Sequence, residues 1–481
     1  MTDILNILVG HQFVNEVQTV TQLFFPGEGF KHVQGMPADM PKGYGVVAEM
    51  TADAAVATVL LDGKEVGAHS MPLTGLPLHL SPRRVLMLAL YHALQQAVGA
   101  YTPWGALTGI RPTKMVREWL AWGWSDEKVL ATLADPFCCT QEKGKLALTV
   151  AHAEERLTAR IYEQAANPVG IYLSVPFCPT RCLYCSFNVD HNFASKDIYA
   201  QYVAALVQDC KAQARRLAQI GGVVSSVYIG GGTPTVLPEY LLQQLLHAVA
   251  ENFDTAVEYS VEAGRPDTLT REKLALLRRY GVSRIAVNPQ TLKDATLQKI
   301  GRRHTAADFF TAFHFARDMG FPSINTDLIV GLPGETVDDV RCTMDEVAAL
   351  SPENITVHTL AVKRASRLNL EKGEYALPNA HTTEAMLDAA QEACENAGLS
   401  PYYLYRQKNM VGMFENVGYA KPGHECLYNV GMMAETQTVL GIGAGAVSKF
   451  VEGGHIRREF NVKNPEVYVA RHGECDANCK P

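Results

Sequence analysis

Three cysteines fall within the eight residues CPTRCLYC, at Cys178, Cys182 and Cys185. Their spacing is C-x3-C-x2-C, directly behind the apolar run VGIYLSV (169–175). Three readings fit a thiol cluster of this kind. A structural zinc site closes with four ligands, usually as two separated pairs. Here the pairs overlap, and the next candidates are His191 and the distant Cys475 and Cys479. Three buried structural cysteines are the second reading, although a Pro-containing loop after a strand is an unusual place to bury them. The third is an iron–sulfur cluster, held by thiolates and normally by four of them; three would leave one iron open to an outside ligand.

A second motif, YIGGGTPT (228–235), also ends an apolar run. Glycines at 230–232 let a ligand approach the backbone and present N–H groups to it, and they equally suit a tight strand-to-helix turn. A third, LTGIRPTK (107–114), is a Gly/Pro-broken loop with two cations, Arg111 and Lys114. It reads either as a solvated connection or as an anion contact.

These motifs need elements to hold them. Between 168 and 362 short β-branched runs recur at 169–175, 225–231, 257–263, 284–288, 324–330 and 355–361. Helical patterns separate them at 196–219, 236–250, 268–280, 305–319 and 335–350. Strands alternating with helices at this spacing predict parallel βα units, closing as a barrel or partial barrel. Chemistry in such barrels sits at the C-terminal ends of the strands, which is where the cysteines and the glycines fall. Residues 1–165 read as a small α+β domain, with an Asp62-Gly63 turn inside an alternating hairpin pattern. Residues 363–481, rich in Tyr, Met and Gly, read as a domain covering the barrel mouth, ending in a polar tail expected to be mobile.

Composition sets outer bounds. The 481 residues predict two or three domains, and 47% hydrophobic with 19% charged residues fits a globular protein. A formal net charge of −7 without a basic block gives no sign of nucleic acid as partner. No apolar run reaches the roughly 18 residues of a membrane span. The start MTDILNILVG is a poor signal peptide, and 11 cysteines dominated by one cluster suit a reducing cytoplasm rather than a disulfide framework.

IYLSVPFCPTRCLYC followed by YIGGGTPT resembles the radical S-adenosylmethionine (SAM) superfamily, specifically the oxygen-independent coproporphyrinogen III oxidase (coproporphyrinogen dehydrogenase) family. The resemblance runs over about 168–450, and LTGIRPTK is closest to the long HemZ-type branch. It implies an α/β fold: a partial (β/α)6 radical SAM barrel over 166–362, flanked by the N-terminal α+β domain and the C-terminal covering domain. It implies that Cys178, Cys182 and Cys185 hold a [4Fe–4S] cluster whose open iron is chelated by SAM. Tyr172 matches a cofactor-contacting tyrosine. Gly231, Gly232 and Thr233 match the motif that approaches the methionyl group. Glu262 ends the third strand, where a carboxylate suits ribose or an ammonium group. Gln290 matches a polar cofactor contact, and Arg302 falls where the family has an arginine suited to a carboxylate. Asp327 matches an acidic residue of the fifth strand, Ala361 a small residue ending the sixth, and Val447 an apolar contact. Tyr184, Gln290, Arg302 and Asp327 correspond to residues around a second SAM in some members, so one or two molecules are implied.

The family chemistry uses a low-potential electron, from a donor such as flavodoxin or ferredoxin, to cleave SAM and generate a 5′-deoxyadenosyl radical. That radical takes a hydrogen from the β-carbon of a propionate, and loss of carbon dioxide and one electron leaves a vinyl group. Done twice on coproporphyrinogen III, this gives protoporphyrinogen IX. Such a tetrapyrrole needs cations for its carboxylates, for which Lys363, Arg364, Arg367 and Arg406 are candidates. Tyr402, Tyr403, Tyr405, Met410, Met413 and Phe414 are candidates for apolar wall or for ordinary core. Two departures are visible. Cys185-Ser186-Phe187 replaces the C-x-C of the best-known branch, and Tyr428-Asn429-Val430-Gly431-Met432-Met433 keeps only the asparagine of a haem-transferring motif, H-N-x-x-Y-W. A haem-delivery protein on the same scaffold and another radical SAM tetrapyrrole enzyme are the competing readings.

Overall fold

The computed structural model describes residues 3–478, apart from 39, 41, 78, 101, 187–195, 256, 372 and 454. His191, Phe187 and Cys479 lie outside the described residues, and of residues 196, 197 and 473–478 only the backbone is described. The chain divides into two compact units, Met1–Thr149 and Val150–Pro481, and the division falls inside the helix Gln141–Gln164.

The first unit is built on strands β1 (Ile4–Val9), β2 (Phe30–Gln34), β3 (Tyr44–Met50), β4 (Ala54–Leu61) and β5 (Lys64–Pro72), in the order β2-β1-β3-β4-β5. Alternate residues of β4 are buried, as its period-two pattern requires. Asp62 and Gly63 both take positive φ, 51° and 74°, which closes the β4–β5 hairpin with the twist of its strands. Helix Pro82–Val98 lies so close to β5 that a Cβ on Gly67 would meet the Ala93 carbonyl.

In the second unit six strands follow the predicted beat: β6 (Pro168–Val175), β7 (Val223–Gly231), β8 (Glu258–Glu262), β9 (Arg284–Ala286), β10 (Ser323–Val330) and β11 (Asn354–Thr359). Each pairs in parallel with the next. The helices between them are Lys196–Gln219, Glu239–Asn252, Arg271–Arg279, the short Asp294–Lys299, Ala306–Asp318 and Val337–Ala349. Thr305 and Thr336 start the last two with reciprocal capping boxes to Asp308 and Asp339. Strands such as β6, buried on nearly every residue, carry continuous apolar runs because both faces are covered.

The C-terminal region adds five strands to the same sheet: β12 (Ser400–Tyr405), β13 (Asn416–Ala420), β14 (Thr438–Ile442), β15 (Val447–Glu452) and β16 (His455–Phe460). β13 runs antiparallel to β11 and β12 antiparallel to β13, while β14 runs parallel to β6 and leads to β15 and β16. The chain ends in a helix, Pro465–Asn478, which takes in the start of the tail ECDANCKP and with it Cys475. Tyr468 anchors that helix, donating its hydroxyl to Asp209 at 2.5 Å.

Candidate active site

The C-terminal ends of the six parallel strands open onto a cavity of about 360 Å³. Cys178, Cys182, Cys185, Tyr172, Tyr184, Gly231, Gly232, Thr233, Glu262, Gln290, Arg302, Asp327, Ala361 and Lys363 all line it. Val447 does not; it begins β15. Arg364 is exposed and outside the lining, and Arg406 is buried, donating to the Met413 carbonyl at 2.7 Å. Arg367 pairs with Glu371 at 2.9 Å. Of the apolar-wall candidates Tyr405 reaches the cavity, while Tyr402, Tyr403, Met410 and Phe414 are core.

The cysteine loop is clamped from several sides. Leu183 N–H donates to Ile300 O at 2.9 Å, Thr180 Oγ1 to Gly301 O at 2.9 Å, and Leu368 N–H to Leu183 O at 3.0 Å. Arg265, which the sequence reading did not single out, grips Asp267 through two bonds of 2.9 Å and Thr180 Oγ1 at 3.0 Å, and comes within 3.8 Å of Cys182 Sγ. Cys178 Sγ lies 3.2 Å from Thr233 Oγ1, so the glycine motif touches the cysteine loop directly. Burial pushes the Cys178 thiol up to about 11; without a cation it stays protonated.

The glycines permit that closeness. A Cβ on Gly232 would lie 2.5 Å from the Phe177 carbonyl oxygen, and one on Gly230 3.0 Å from the Glu262 carboxyl carbon. Gly231 has φ +103°, which favours glycine. Gln290 is a second backbone outlier, at φ +70°, held by its N–H on Asp327 O at 3.1 Å and by Ile329 N–H on its carbonyl at 2.9 Å. Strained backbone of this kind persists only where surrounding bonds enforce it.

Two carboxyls face the cavity in different states. Burial raises Glu262 to about 7, against the pull of the Tyr228 hydroxyl, which donates to it at 2.7 Å. Asp327 is held below the usual range: burial works against its charge, but His358 and the hydrogen bonds it accepts outweigh this. Asn288 donates to its Oδ2 at 2.8 Å and Asn325 to its Oδ1 at 2.7 Å, with His358 Nε2 at 3.8 Å. Arg302 donates to Gly264 O at 3.0 Å, Asn288 O at 3.3 Å and Tyr184 Oη at 3.2 Å. Its Nε is buried without a hydrogen-bond partner among the described residues. Beneath Glu262 the rings of Tyr172, Tyr228 and Tyr428 stack, Tyr228 and Tyr428 at 4.5 Å. Asn288, His358 and Arg265 were missed because each reads as an ordinary polar residue near a strand end; their one signal was that position.

The fold and the thiol-lined cavity define a protein of the radical SAM class, and the profile of the radical SAM superfamily matches residues 172–347. The chain is 38% identical over 383 residues to the oxygen-independent coproporphyrinogen-III oxidase-like protein HemZ of Bacillus subtilis, covering 79% of this chain and 76% of that protein. It belongs to the family of oxygen-independent coproporphyrinogen-III oxidase-like proteins. The heme chaperone HemW of Bacillus subtilis is 34% identical over 281 residues, 57% of this chain and 69% of that one. Among solved structures, coproporphyrinogen III oxidase (HemN) from Escherichia coli, a radical SAM enzyme, shares the fold with a TM-score of 0.53 at 24% identity, covering 67% of this chain and 72% of that one.

Proteins of this class carry a [4Fe–4S] cluster and SAM. The residues present fit both. Among the described residues no three His, Cys, Asp or Glu side chains converge on a point for a single ion, whereas thiols reaching different irons of a cube need not converge so closely. Arg265 sets a guanidinium within 3.8 Å of Cys182 Sγ, and the glycine cradle, Glu262 and the unspent Nε of Arg302 offer backbone space, an acceptor and a donor to a polar cofactor. Among the described residues no helix is long and apolar enough to cross a membrane.

Proposed function

We propose that the chain oxidatively decarboxylates two propionates of coproporphyrinogen III to vinyl groups, a step of porphyrin and haem biosynthesis. The observation that supports this best is the joining of three thiols, a glycine cradle and both signs of charge in one cavity of about 360 Å³. When bound, the cluster and SAM supply chemistry able to remove a hydrogen atom from an unactivated carbon.

The chain's own residues do the rest. Cys178, Cys182 and Cys185 hold the cluster. Gly231, Gly232 and Thr233 hold the methionyl end of SAM, and Tyr172, Glu262, Gln290, Arg302, Asp327 and Ala361 enclose the remainder. A second SAM, where one binds, sits against Tyr184, Gln290, Arg302 and Asp327. Lys363 lies at the cavity next to Cys185, where burial lowers the pKa of its ammonium; among the candidate substrate cations it faces the cavity and takes a propionate. Each propionate would lose carbon dioxide, a hydrogen atom, which the 5′-deoxyadenosyl group derived from SAM would take, and one electron, which would pass to an electron acceptor. A low-potential donor such as flavodoxin or ferredoxin supplies reducing electrons, and a reducing cytoplasm suits the free thiols.

The heme chaperones among the relatives give haem delivery as the second reading. In this chain the stretch comparable to the haem-transferring motif forms the helix Leu427–Ala434, and its Tyr428 is buried in the tyrosine stack. That placement favours the enzyme. Anaerobic reconstitution with iron and sulfide, followed by SAM, a reductant and coproporphyrinogen III, should release 5′-deoxyadenosine together with decarboxylated porphyrinogen. Deoxyadenosine without decarboxylation would replace the substrate; tight haem binding with neither product would replace the reading by delivery.

A further inference from the structure

Just past the end of β8, Arg265-Pro266-Asp267 sets a charged pair behind the cysteine loop. The local chain dictates the pairing. Arg265 N–H donates to Ala263 O at 2.8 Å, and the Arg265 carbonyl accepts from Thr268 N–H at 2.9 Å and from Thr268 Oγ1 at 2.8 Å. These bonds close one tight helical turn over Pro266–Thr268, in which the missing N–H of Pro266 costs nothing. With the backbone so fixed, residues two apart meet. Arg265 Nε and Nη2 each reach an Asp267 carboxylate oxygen at 2.9 Å.

A guanidinium carries five N–H bonds in a rigid fork, and here each has an acceptor. Asp267 takes two of them. Thr180 Oγ1 takes two more, from Nη1 and Nη2 at 3.0 Å each, while giving its own hydrogen to Gly301 O at 2.9 Å. The fifth, on Nη1, meets Cys182 Sγ at 3.8 Å. Because Asp267 occupies the Nε–Nη2 edge, the pair turns its positive end toward the thiol. Arg265 is 3% exposed, so salt and water screen that contact little. The other buried guanidinium nearby, Arg302, donates to Gly264 O, Asn288 O and Tyr184 Oη instead.

We propose that Arg265 raises the reduction potential of the cluster, acting through Cys182 and aimed by Asp267. The proposal rests on the assignment of the cluster to the three cysteines and is indifferent to the substrate. A cluster gains a negative charge on reduction, and its potential follows net charge and the hydrogen bonds to its sulfurs. A cation fixed against one ligand therefore favours the reduced form. Lysine could supply the charge, but a single ammonium cannot grip Asp267 with two parallel bonds and still present a donor to Cys182.

The test is a mediated titration with dithionite of the anaerobically reconstituted full chain, the reduced cluster being read by electron paramagnetic resonance. Arg265→Gln should lower the ratio of reduced to oxidised cluster at a given potential about tenfold or more, a fall of about 59 mV for one electron. Arg265→Lys should fall by less. Asp267→Asn, which removes the nearby negative charge, should move the potential upward. A residue that merely braced the loop would not produce shifts of opposite sign. Arg265→Gln leaves Asp267 without its partner, so iron content is measured beside each potential. Wild type grown with isotopically labelled guanidinium nitrogens supplies a readout free of any substitution: the reduced cluster should show a nitrogen coupling that Arg265→Lys loses.

Fully loaded variants with unmoved potentials would overturn the proposal, as would a wild-type cluster without the arginine coupling. Should Arg265→Gln hold no iron, Asp267→Asn and the coupling decide in the same way. A wild-type chain that takes up no four-iron cluster would remove the cysteine assignment and this role with it. Shifts and coupling as expected, without decarboxylation of coproporphyrinogen III, would leave Arg265 its role and remove only the substrate.

Discussion

Glu262 shows how one side chain can carry a pH dependence for the site. Its carboxyl is raised from an ordinary 4.5 to about 7, chiefly by burial. A carboxyl raised in the folded state favours folding below its unfolded pKa, and that contribution is lost as pH climbs through the folded value. The window is therefore about pH 4.5 to 7, and the full effect is on the order of 3 kcal/mol. Glu262→Gln keeps an acceptor for the Tyr228 hydroxyl and removes the titration. Urea unfolding followed by circular dichroism should show the variant gaining on wild type between pH 5 and pH 8. A difference unchanged between those two pH values would mean that Glu262 ionises normally. The same residue was legible in the sequence because it ends a strand, whereas Asn288, which fixes the Asp327 carboxylate at 2.8 Å, was not. An asparagine in a buried run looks like packing until its partner, 39 residues away, is known.

At the scale of elements the six parallel strands were readable, since strands buried on both faces leave long β-branched runs between helices of regular spacing. The five strands that extend the sheet at both edges were not. They are short, β12 to β14 carry Gly or Tyr in place of a clean pattern, and β13 and β14 join the sheet through β11 and β6, well back in the chain. Helix Leu427–Ala434 makes the reason concrete. No side chain at its own start caps it; Glu258 of β8 accepts from Leu427 N–H at 2.8 Å and Tyr428 N–H at 2.9 Å. The same carboxylate lies 3.8 Å from the buried Arg284. Glu258→Ala should cost about 3–5 kcal/mol, because it strands a buried guanidinium as well as two amides. It should also disturb the near-ultraviolet dichroism of the tyrosines, as Tyr428 leaves its stack. A loss below about 1 kcal/mol would mean that packing alone holds the helix, since a single cap is worth about that much. Gly232 makes the complementary case on the other side of the cavity. Gly232→Ala places a methyl against the Phe177 backbone and should drive β7 away from the cysteine loop. Iron retained per chain after reconstitution should fall, and wild-type retention would show that the loop yields without harm.

For the whole molecule, the two compact units separate the proposed cofactor chemistry from the optical reporters. Every tryptophan belongs to Met1–Thr149, and every candidate ligand of the cluster and of SAM belongs to Val150–Pro481. A ligand that binds only the folded form of one unit stabilises that unit by mass action, about 2.7 kcal/mol at a hundred times its dissociation constant. For a unit of this size such a gain corresponds to a rise of several degrees in its midpoint. Heating the reconstituted protein with and without SAM, while recording tryptophan emission and the iron–sulfur absorbance together, should therefore give two responses. The absorbance transition should move upward with SAM and the tryptophan transition should stay in place. A single transition seen by both probes and shifted equally by SAM would mean that the units unfold as one, and binding in the second would then be felt across the entire chain.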